Sequence, residues 1–245
     1  MASVQEHYDQ HLGPVYAWMV GGVEPAIERG AAEMENLGTG PSETGFAVDL
    51  GAGFGMHAIP LARQGFNVLA LDSCANLLEE LRSHAQQESL PVEIVQDDLR
   101  SFQSHLPGKP ELVLCMHDTL THLPDAASVE TLLQAVAAEI APGGRFILTL
   151  RDYSTALTGV QRFIPVRSDA SRILTCFLEY AESHVQVHDI LHEWDGSAWS
   201  MGVSAYPKLR ISPEWLVATL EQNGFAVEQG AGPGGMVRFA ATRLE

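Results

Sequence analysis

The stretch Phe46-Ala47-Val48-Asp49-Leu50-Gly51-Ala52-Gly53-Phe54-Gly55-Met56 decides the fold. Its apolar first half, interrupted only by Asp49, predicts a buried strand, and the alternating glycines predict a tight turn from which a helix starts. Lacking Cβ, glycine reaches positive φ and lets the backbone come close to a bound nucleotide. Dinucleotide enzymes, P-loop proteins and plain strand-to-helix turns all share such a feature. The spacing narrows the choice. The third glycine follows the first by four positions, where the dinucleotide fingerprint needs five, and no lysine follows as a P-loop requires. Asp49 stands two residues before the first glycine, giving Asp-x-Gly-x-Gly-x-Gly.

Outward from this segment the chain alternates strand and helix. Asn67 to Asp72, Val92 to Val95, Leu112 to Met116 and Arg145 to Arg151 read as further strands. The helices between them carry Ile59, Leu61 and Ala62, then Leu77, Leu78 and Leu81, then Val129, Leu132, Leu133, Val136 and Ile140. Pro60 falls early in the first of these and disturbs its opening turns. Ser212-Pro213-Glu214 caps and starts a last helix that ends at Asn223-Gly224, and Phe225–Glu228 with Met236–Thr242 reads as a closing hairpin. The pattern predicts an α/β fold with a doubly wound, mostly parallel seven-stranded sheet covered by helices on both faces. Such sheets bind ligands beyond the carboxyl ends of their strands, at the switch point beside the first strand. Gly51 to Gly55, Asp72, Asp98 and His117-Asp118 all fall at those ends.

Two parts break the rhythm. Residues 5–36 read as helices interrupted at Gly21-Gly22, so residues 1–40 are expected to form an N-terminal helical lid, hinged at Gly38–Ser42. Leu174–Tyr180, His184–Trp194 and Trp199–Ala205 alternate with period two, and Asp195-Gly196 is a hairpin signal. Residues 153–210 are therefore expected to be an antiparallel β meander inserted in the same domain, with residues 41–152 and 211–245 forming the core.

Composition bounds the partners. With 14 Lys+Arg against 31 Asp+Glu, the formal net charge is −17, the opposite of what a nucleic-acid or anionic-lipid surface attracts. No apolar run reaches membrane-span length, and Glu6, His7 and Asp9 stand where a signal peptide needs a basic end and an apolar core. Cys74, Cys115 and Cys176 are odd in number and widely spaced, which predicts neither a disulfide framework nor a zinc ribbon and fits a cytoplasmic protein. A homo-oligomer is compatible with all of this.

The glycine loop with Asp49, followed 21 positions after Gly51 by Asp72 at a strand end, resembles the cofactor loop of class I S-adenosylmethionine-dependent methyltransferases. The likeness covers Phe46 to Leu150 and Ser212 to the end. It implies a Rossmann-like methyltransferase fold and S-adenosylmethionine as cofactor, with S-adenosylhomocysteine as product. It also implies a cofactor site built from Asp49, Gly51, Ala52, Gly53, Gly55, Asp72, Ser73, Asp98, Leu99 and Met116. Asp72 would accept both ribose hydroxyls, and Asp98 with the Leu99 backbone would meet the adenine. Cys115–Leu123 and Leu150–Tyr153 look like the corresponding segments of glycine N-methyltransferase and its relatives. That closer likeness implies a small-molecule acceptor with an N- or O-nucleophile. Arg151 would hold an acceptor carboxylate, an Asn of the family is replaced by Asp118, and Met19 stands where the family has a substrate-side Tyr that Tyr16 or Tyr8 could replace.

A sulfonium methyl is already activated, so transfer depends on proximity, orientation and desolvation. If the acceptor needs deprotonation, His117 is the first candidate base and Asp118 the second. No metal is expected. His117-Asp118 follows a strand, unlike the helical His-Asp pair of phosphohydrolases, and four residues of strand between His184, His188 and His192 span roughly 13 Å, which implies a polar sheet face. An NAD-dependent oxidoreductase and a non-catalytic methyltransferase-like binding module remain the alternatives.

Overall fold

The computed structural model describes residues 3–244. Five strands run parallel through the core: β1 (Phe46–Leu50), β2 (Asn67–Asp72), β3 (Val92–Gln96), β4 (Leu112–Cys115) and β5 (Arg145–Leu150). A final hairpin, β10 (Phe225–Ala231) and β11 (Val237–Arg243), completes the sheet, with β11 antiparallel to β5. The order is β3-β2-β1-β4-β5-β11-β10. The chain leaves β1 toward β2 on one side and returns to β4 on the other, so the switch point lies between β1 and β4. β1 is buried along its whole length, as a central strand covered on both faces must be.

The helices follow the apolar stripes. α4 (Ala58–Arg63), α5 (Ala75–Gln87), α6 (Ala126–Glu139) and α7 (Pro213–Gln222) pack on the sheet, with Leu81, Leu133 and Leu216 fully enclosed. α4 is only six residues long with Pro60 at its third position. Ser212 accepts the Trp215 N–H and caps α7, with Pro213 at the first position.

The insertion is a separate four-stranded antiparallel sheet: β6 (Phe163–Ser168), β7 (Arg172–Tyr180), β8 (His184–Trp194) and β9 (Trp199–Leu209), in that order. β6 escapes the sequence reading because all six of its residues are exposed and its pairing is interrupted between Pro165 and Arg167. An edge strand without a buried face shows no alternation to read. His184, His188 and His192 do share one face of β8. Across the ladders His192 lies opposite Ile173 and Met201, and Ile190 opposite Val203, and Met201 and Val203 are exposed. That face is as apolar as it is polar, which corrects the expectation of a polar one.

The other face of this sheet carries the leader. α1 (Val4–His7), a π-helical turn (Tyr8–Leu12), α2 (Gly13–Met19) and α3 (Val23–Asn36) form a near-continuous path, broken where Gly21 and Gly22 take positive φ. His7 is fully buried. Its Nε2 pairs with Asp189 Oδ2 at 3.0 Å, its Nδ1 with Ser204 Oγ at 2.8 Å, and its ring stacks on Tyr206 at 4.0 Å. Burial alone would push the Asp189 carboxyl up, but hydrogen bonds from His7 and Cys176 hold it below the usual range. The leader is thereby latched to the inserted sheet and laid over the carboxyl end of the core strands. Among the described residues no helix is long and apolar enough to cross a membrane.

Candidate active site

A cavity of about 660 Å³ opens where β1, β2 and β4 end, roofed by Tyr8 and Tyr16 of the leader. Its floor is the glycine loop. Gly51, Gly53 and Gly55 all have positive φ, but they serve different ends. A Cβ on Gly51 would meet the Thr119 side chain at 2.4 Å, and one on Gly55 would meet Leu81 at 2.3 Å. These two glycines let α5 and the β4 turn close on the loop. A Cβ on Gly53 would have only Leu77 nearby, at 3.8 Å, so this residue presents open backbone to the cavity. The Gly51 and Ala52 N–H groups both donate to the Leu71 carbonyl, at 2.8 and 2.9 Å, tying the loop to the end of β2.

Asp72 finishes that tie. Its Oδ2 accepts the Gly53 N–H and its Oδ1 the Cys74 N–H, both at 2.8 Å. Each carboxylate oxygen keeps a second lone pair, so the group can still accept two hydroxyls. Burial, with a smaller push from the Asp9 charge, raises its pKa against the backbone N–H bonds, those of Cys74 and Gly53 first, that lower it. Asp49 lies beneath the loop, 1 % exposed, with Oδ2 lacking any hydrogen-bond partner. Burial, with Asp72 nearby, pushes its pKa to about 7. Open backbone at Gly53 and a half-engaged Asp72 fit a ligand that brings hydroxyls, whereas Asp49 does not border the cavity. Asp98 caps the short 3-10 helix Leu99–His105 and pairs with Arg100. Asp98, Leu99, Ser73 and Met116 all border the cavity.

The far wall is the turn after β4. His117 and Asp118 both have positive φ, 56° and 74°, a conformation that costs non-glycine residues roughly 1–3 kcal/mol each. The turn is held by Thr149, whose Oγ1 accepts the His117 N–H at 2.7 Å and whose carbonyl accepts the Asp118 N–H at 2.9 Å. The kink sends the two side chains in different directions. His117 borders the cavity, with Nε2 3.4 Å from Glu33 Oε2. Asp118, 3 % exposed, is engaged on all sides: by the Lys208 ammonium, the Tyr153 hydroxyl at 3.0 Å and the Arg151 N–H at 3.0 Å. It lies off the cavity wall, so the second candidate base is a buried anchor and is not available to take a proton. The Arg151 guanidinium also points elsewhere and donates to the Gly234 carbonyl at 3.0 Å. Met19 packs beside Leu12, Val15, Leu174 and Leu191, away from the cavity, whereas Tyr16 lines it. Both lid phenols stay protonated: burial lifts Tyr16 to about 12 and Tyr8 well above its ordinary value.

Three residues absent from the sequence reading complete the surroundings: His57 and His122 border the cavity, and Glu33 stands behind them. His122, at the end of the 3-10 turn Thr119–His122, borders the cavity with Nε2 unpaired. Burial, and then the Lys208 charge, lower its pKa to about 3, so it is a neutral hydrogen-bonding group. His57 stands at the position just before α4 and pairs with Glu33 of α3 at 3.0 Å. Burial pushes Glu33 up, but its bonds to His117 and His57 more than offset this and bring it to about 2. His57 sits two residues past Gly55 and was legible as a loop neighbour. Glu33 carried no signal, because it arrives by tertiary packing.

Residues 47–144 match the family model described as "Methyltransferase domain". Together with the β3-β2-β1-β4-β5-β11-β10 sheet and its cavity, this decides the matter. Residues 47–144 form a methyltransferase domain, set in the class I methyltransferase fold. Curated relatives agree across that region. The ubiquinone biosynthesis O-methyltransferase of Pectobacterium carotovorum is 37% identical over 97 residues, 40% of this chain and 39% of the relative. That of Vibrio parahaemolyticus is 29% identical over 140 residues, 55% and 58% of the two. The chain thus matches well under two thirds of the length of these relatives. Solved structures agree over the whole methyltransferase fold. The CcbJ methyltransferase from Streptomyces caelestis superposes with a TM-score of 0.78, 17% identity and 98% of both chains covered. DesVI of Streptomyces venezuelae gives 0.76 at 17% identity, over 94% and 98%. Identities this low establish the fold, inserted strands and leader included.

Proposed function

We propose that the protein transfers a methyl group from S-adenosylmethionine to a nitrogen or oxygen of a small molecule in the cytoplasm. The carrying observation is the single cavity shared by the glycine loop with Asp72 on one side and His117 and His122 on the other. A donor held by the first set faces an acceptor held by the second. When bound, the cofactor supplies an activated methyl on a sulfonium, and the chain supplies placement and dryness. Gly53 lets the backbone approach, Asp72 accepts hydroxyls, and Asp98 and Leu99 border the adenine end. Tyr8 and Tyr16 close the roof against water. Neutral His122 offers the acceptor a hydrogen bond without a competing charge. The names of the relatives and structural neighbours include an O-methyltransferase and a sugar N-methyltransferase, which supports both kinds of acceptor atom. With Arg151 turned to Gly234, we assign no carboxylate to the acceptor. Its chemical class is a neutral or weakly polar molecule that fits an aromatic-roofed pocket.

Thermal unfolding tests the cofactor. S-adenosylhomocysteine at 100 times its dissociation constant is expected to add about 2.7 kcal/mol, a rise of roughly 5–10 °C for a chain of this size, while NADH at equal concentration leaves the transition in place. A shift with NADH alone would point to the oxidoreductase. Asp72→Asn is expected to weaken S-adenosylhomocysteine by roughly 1.5–3 kcal/mol, the worth of hydrogen bonds to a charged group, read as a ten- to hundredfold rise in Kd by calorimetry. Asp98→Asn should lose less, since that carboxylate is already shared with Arg100.

A further inference from the structure

We propose that Glu33, His57 and His117 form a binding site for one divalent transition-metal ion on the acceptor side of the cavity. Glu33 Oε2 lies 3.0 Å from His57 Nε2 and 3.4 Å from His117 Nε2. The three ligand atoms all fall within 4.8 Å of one another. Ligand bonds of about 2.0–2.2 Å place neighbouring donors roughly 3.3 Å apart around a tetrahedral ion, so small side-chain adjustments close the set. The two imidazole rings meet edge to face, with centroids 5.1 Å apart, and both nitrogens converge on one carboxylate.

The chain builds this meeting point from three separate elements. Glu33 comes from α3, His57 from the position just before α4, and His117 from the left-handed turn after β4. Gly30 makes the first approach feasible. It lies one turn before Glu33 and rests directly on the Met56 carbonyl, the residue before His57. Because the ligands lie at positions 33, 57 and 117, no short spacing announces them, and the sequence led to the expectation of no metal.

Donor chemistry sets the ion class. Two imidazoles and a carboxylate suit Zn²⁺, Ni²⁺, Co²⁺ or Fe²⁺, and not Mg²⁺ or Ca²⁺, which prefer all-oxygen shells. Three protein ligands leave coordination positions free, and His57 and His117 both border the cavity. An acceptor hydroxyl or amine reaching the ion would be polarised there and would lose its proton more readily. This deepens the methyl-transfer reading, but ion binding is measured with neither cofactor nor acceptor present and so stands or falls separately.

Calorimetric titration of chelator-treated, full-length protein with ZnCl₂ and NiCl₂ provides the test, with MgCl₂ in parallel. The expected result is one equivalent of Zn²⁺ or Ni²⁺ at micromolar or tighter affinity, and no heat with Mg²⁺. Glu33→Gln, His57→Ala and His117→Ala should each weaken binding at least about tenfold, while His188→Ala, on the inserted sheet, leaves it unchanged. Circular dichroism of each variant shows that the loss is not unfolding. The visible spectrum of Co²⁺ added to wild type gives a second readout that needs no variant. Absence of stoichiometric binding by wild type, or binding indifferent to all three substitutions, would overturn the site.

Discussion

Gly30→Ala is expected to unfold roughly 4–8 °C below the wild-type protein, although it replaces glycine by the best helix former in the middle of α3. Two effects oppose each other. In an unencumbered helix interior the substitution gains about 1 kcal/mol, because alanine has less backbone entropy to lose. At Gly30 the added Cβ would stand 1.9 Å from the Met56 carbonyl oxygen and 2.9 Å from its carbon. These are backbone atoms at the glycine-loop end, with no rotamer to swing away, so α3 itself must lift by more than an ångström. Overpacking of this kind costs about 1–3 kcal/mol. With rigid main chain as the obstacle the upper end of that cost applies, about 2 kcal/mol net of the helix-propensity gain, and each kcal/mol moves Tm by roughly 2–4 °C in a chain of this size. Gly40→Ala and Gly108→Ala, whose Cβ atoms meet nothing within 4 Å, should stay within about 0.5 kcal/mol of wild type. A second readout follows from the same geometry. Lifting α3 pulls Glu33 from His57 and His117, so Zn²⁺ affinity should fall together with Tm. A Gly30→Ala protein as stable as wild type would show that α3 does not sit on Met56.

The contrast between Gly30 and Gly53 shows what the sequence could disclose. Gly53 belongs to a local pattern: strand, acid and glycines at alternate positions, all within eleven residues. The loop, Asp72 at a strand end and the succession of strands along the chain were legible because each depends on neighbours in sequence. Gly30 looks like a mild flaw in a helix, and its necessity comes from a residue 26 positions away. Glu33 was silent for the same reason. His117-Asp118 was legible as a place but not as two roles, since only the left-handed backbone decides that one side chain faces the cavity and the other turns inward. Arg151 follows the same rule: its position after β5 was readable, but its direction depends on a carbonyl supplied by Gly234. β6 stayed hidden because an exposed edge strand needs no hydrophobic rhythm.

Asp118→Ala is expected to lower stability by about 3–5 kcal/mol, the cost of leaving one partner of a buried ion pair uncompensated. Lys208 reaches this spot from β9, 90 positions away, with its side chain only 11% exposed, and the carboxylate it meets is 4% exposed. Removing the acid strands the ammonium and also orphans the Tyr153 hydroxyl and the Arg151 N–H. Lys208→Met is expected to do less harm, because the carboxylate keeps those two donors and the methionine fills the space. The double variant Asp118→Asn/Lys208→Met should recover most of the loss: asparagine tolerates the left-handed backbone, and a neutral pair has little desolvation to overcome. Coupling of this sign in urea denaturation would establish that the cost is electrostatic, whereas strictly additive losses would make it one of packing. The acid limb gives an independent reading. Burial pushes the Asp118 carboxyl up, but the Lys208 charge and hydrogen bond outweigh it and leave the folded-state pKa below its ordinary value. A depressed folded pKa contributes stability that is present above the unfolded value, near 3.9, and is lost as pH falls through the folded one. Wild type should therefore lose stability steadily below about pH 4, and the double variant should show a flatter slope there. The pair joins β9 of the inserted sheet to the turn that aims His117, so its loss should also loosen the acceptor wall. Asp118→Asn alone, which keeps the turn but not the charge, separates the two effects: unchanged Zn²⁺ affinity with lowered Tm would assign Asp118 to stability, and a fall in both would make it the positioning residue of the wall.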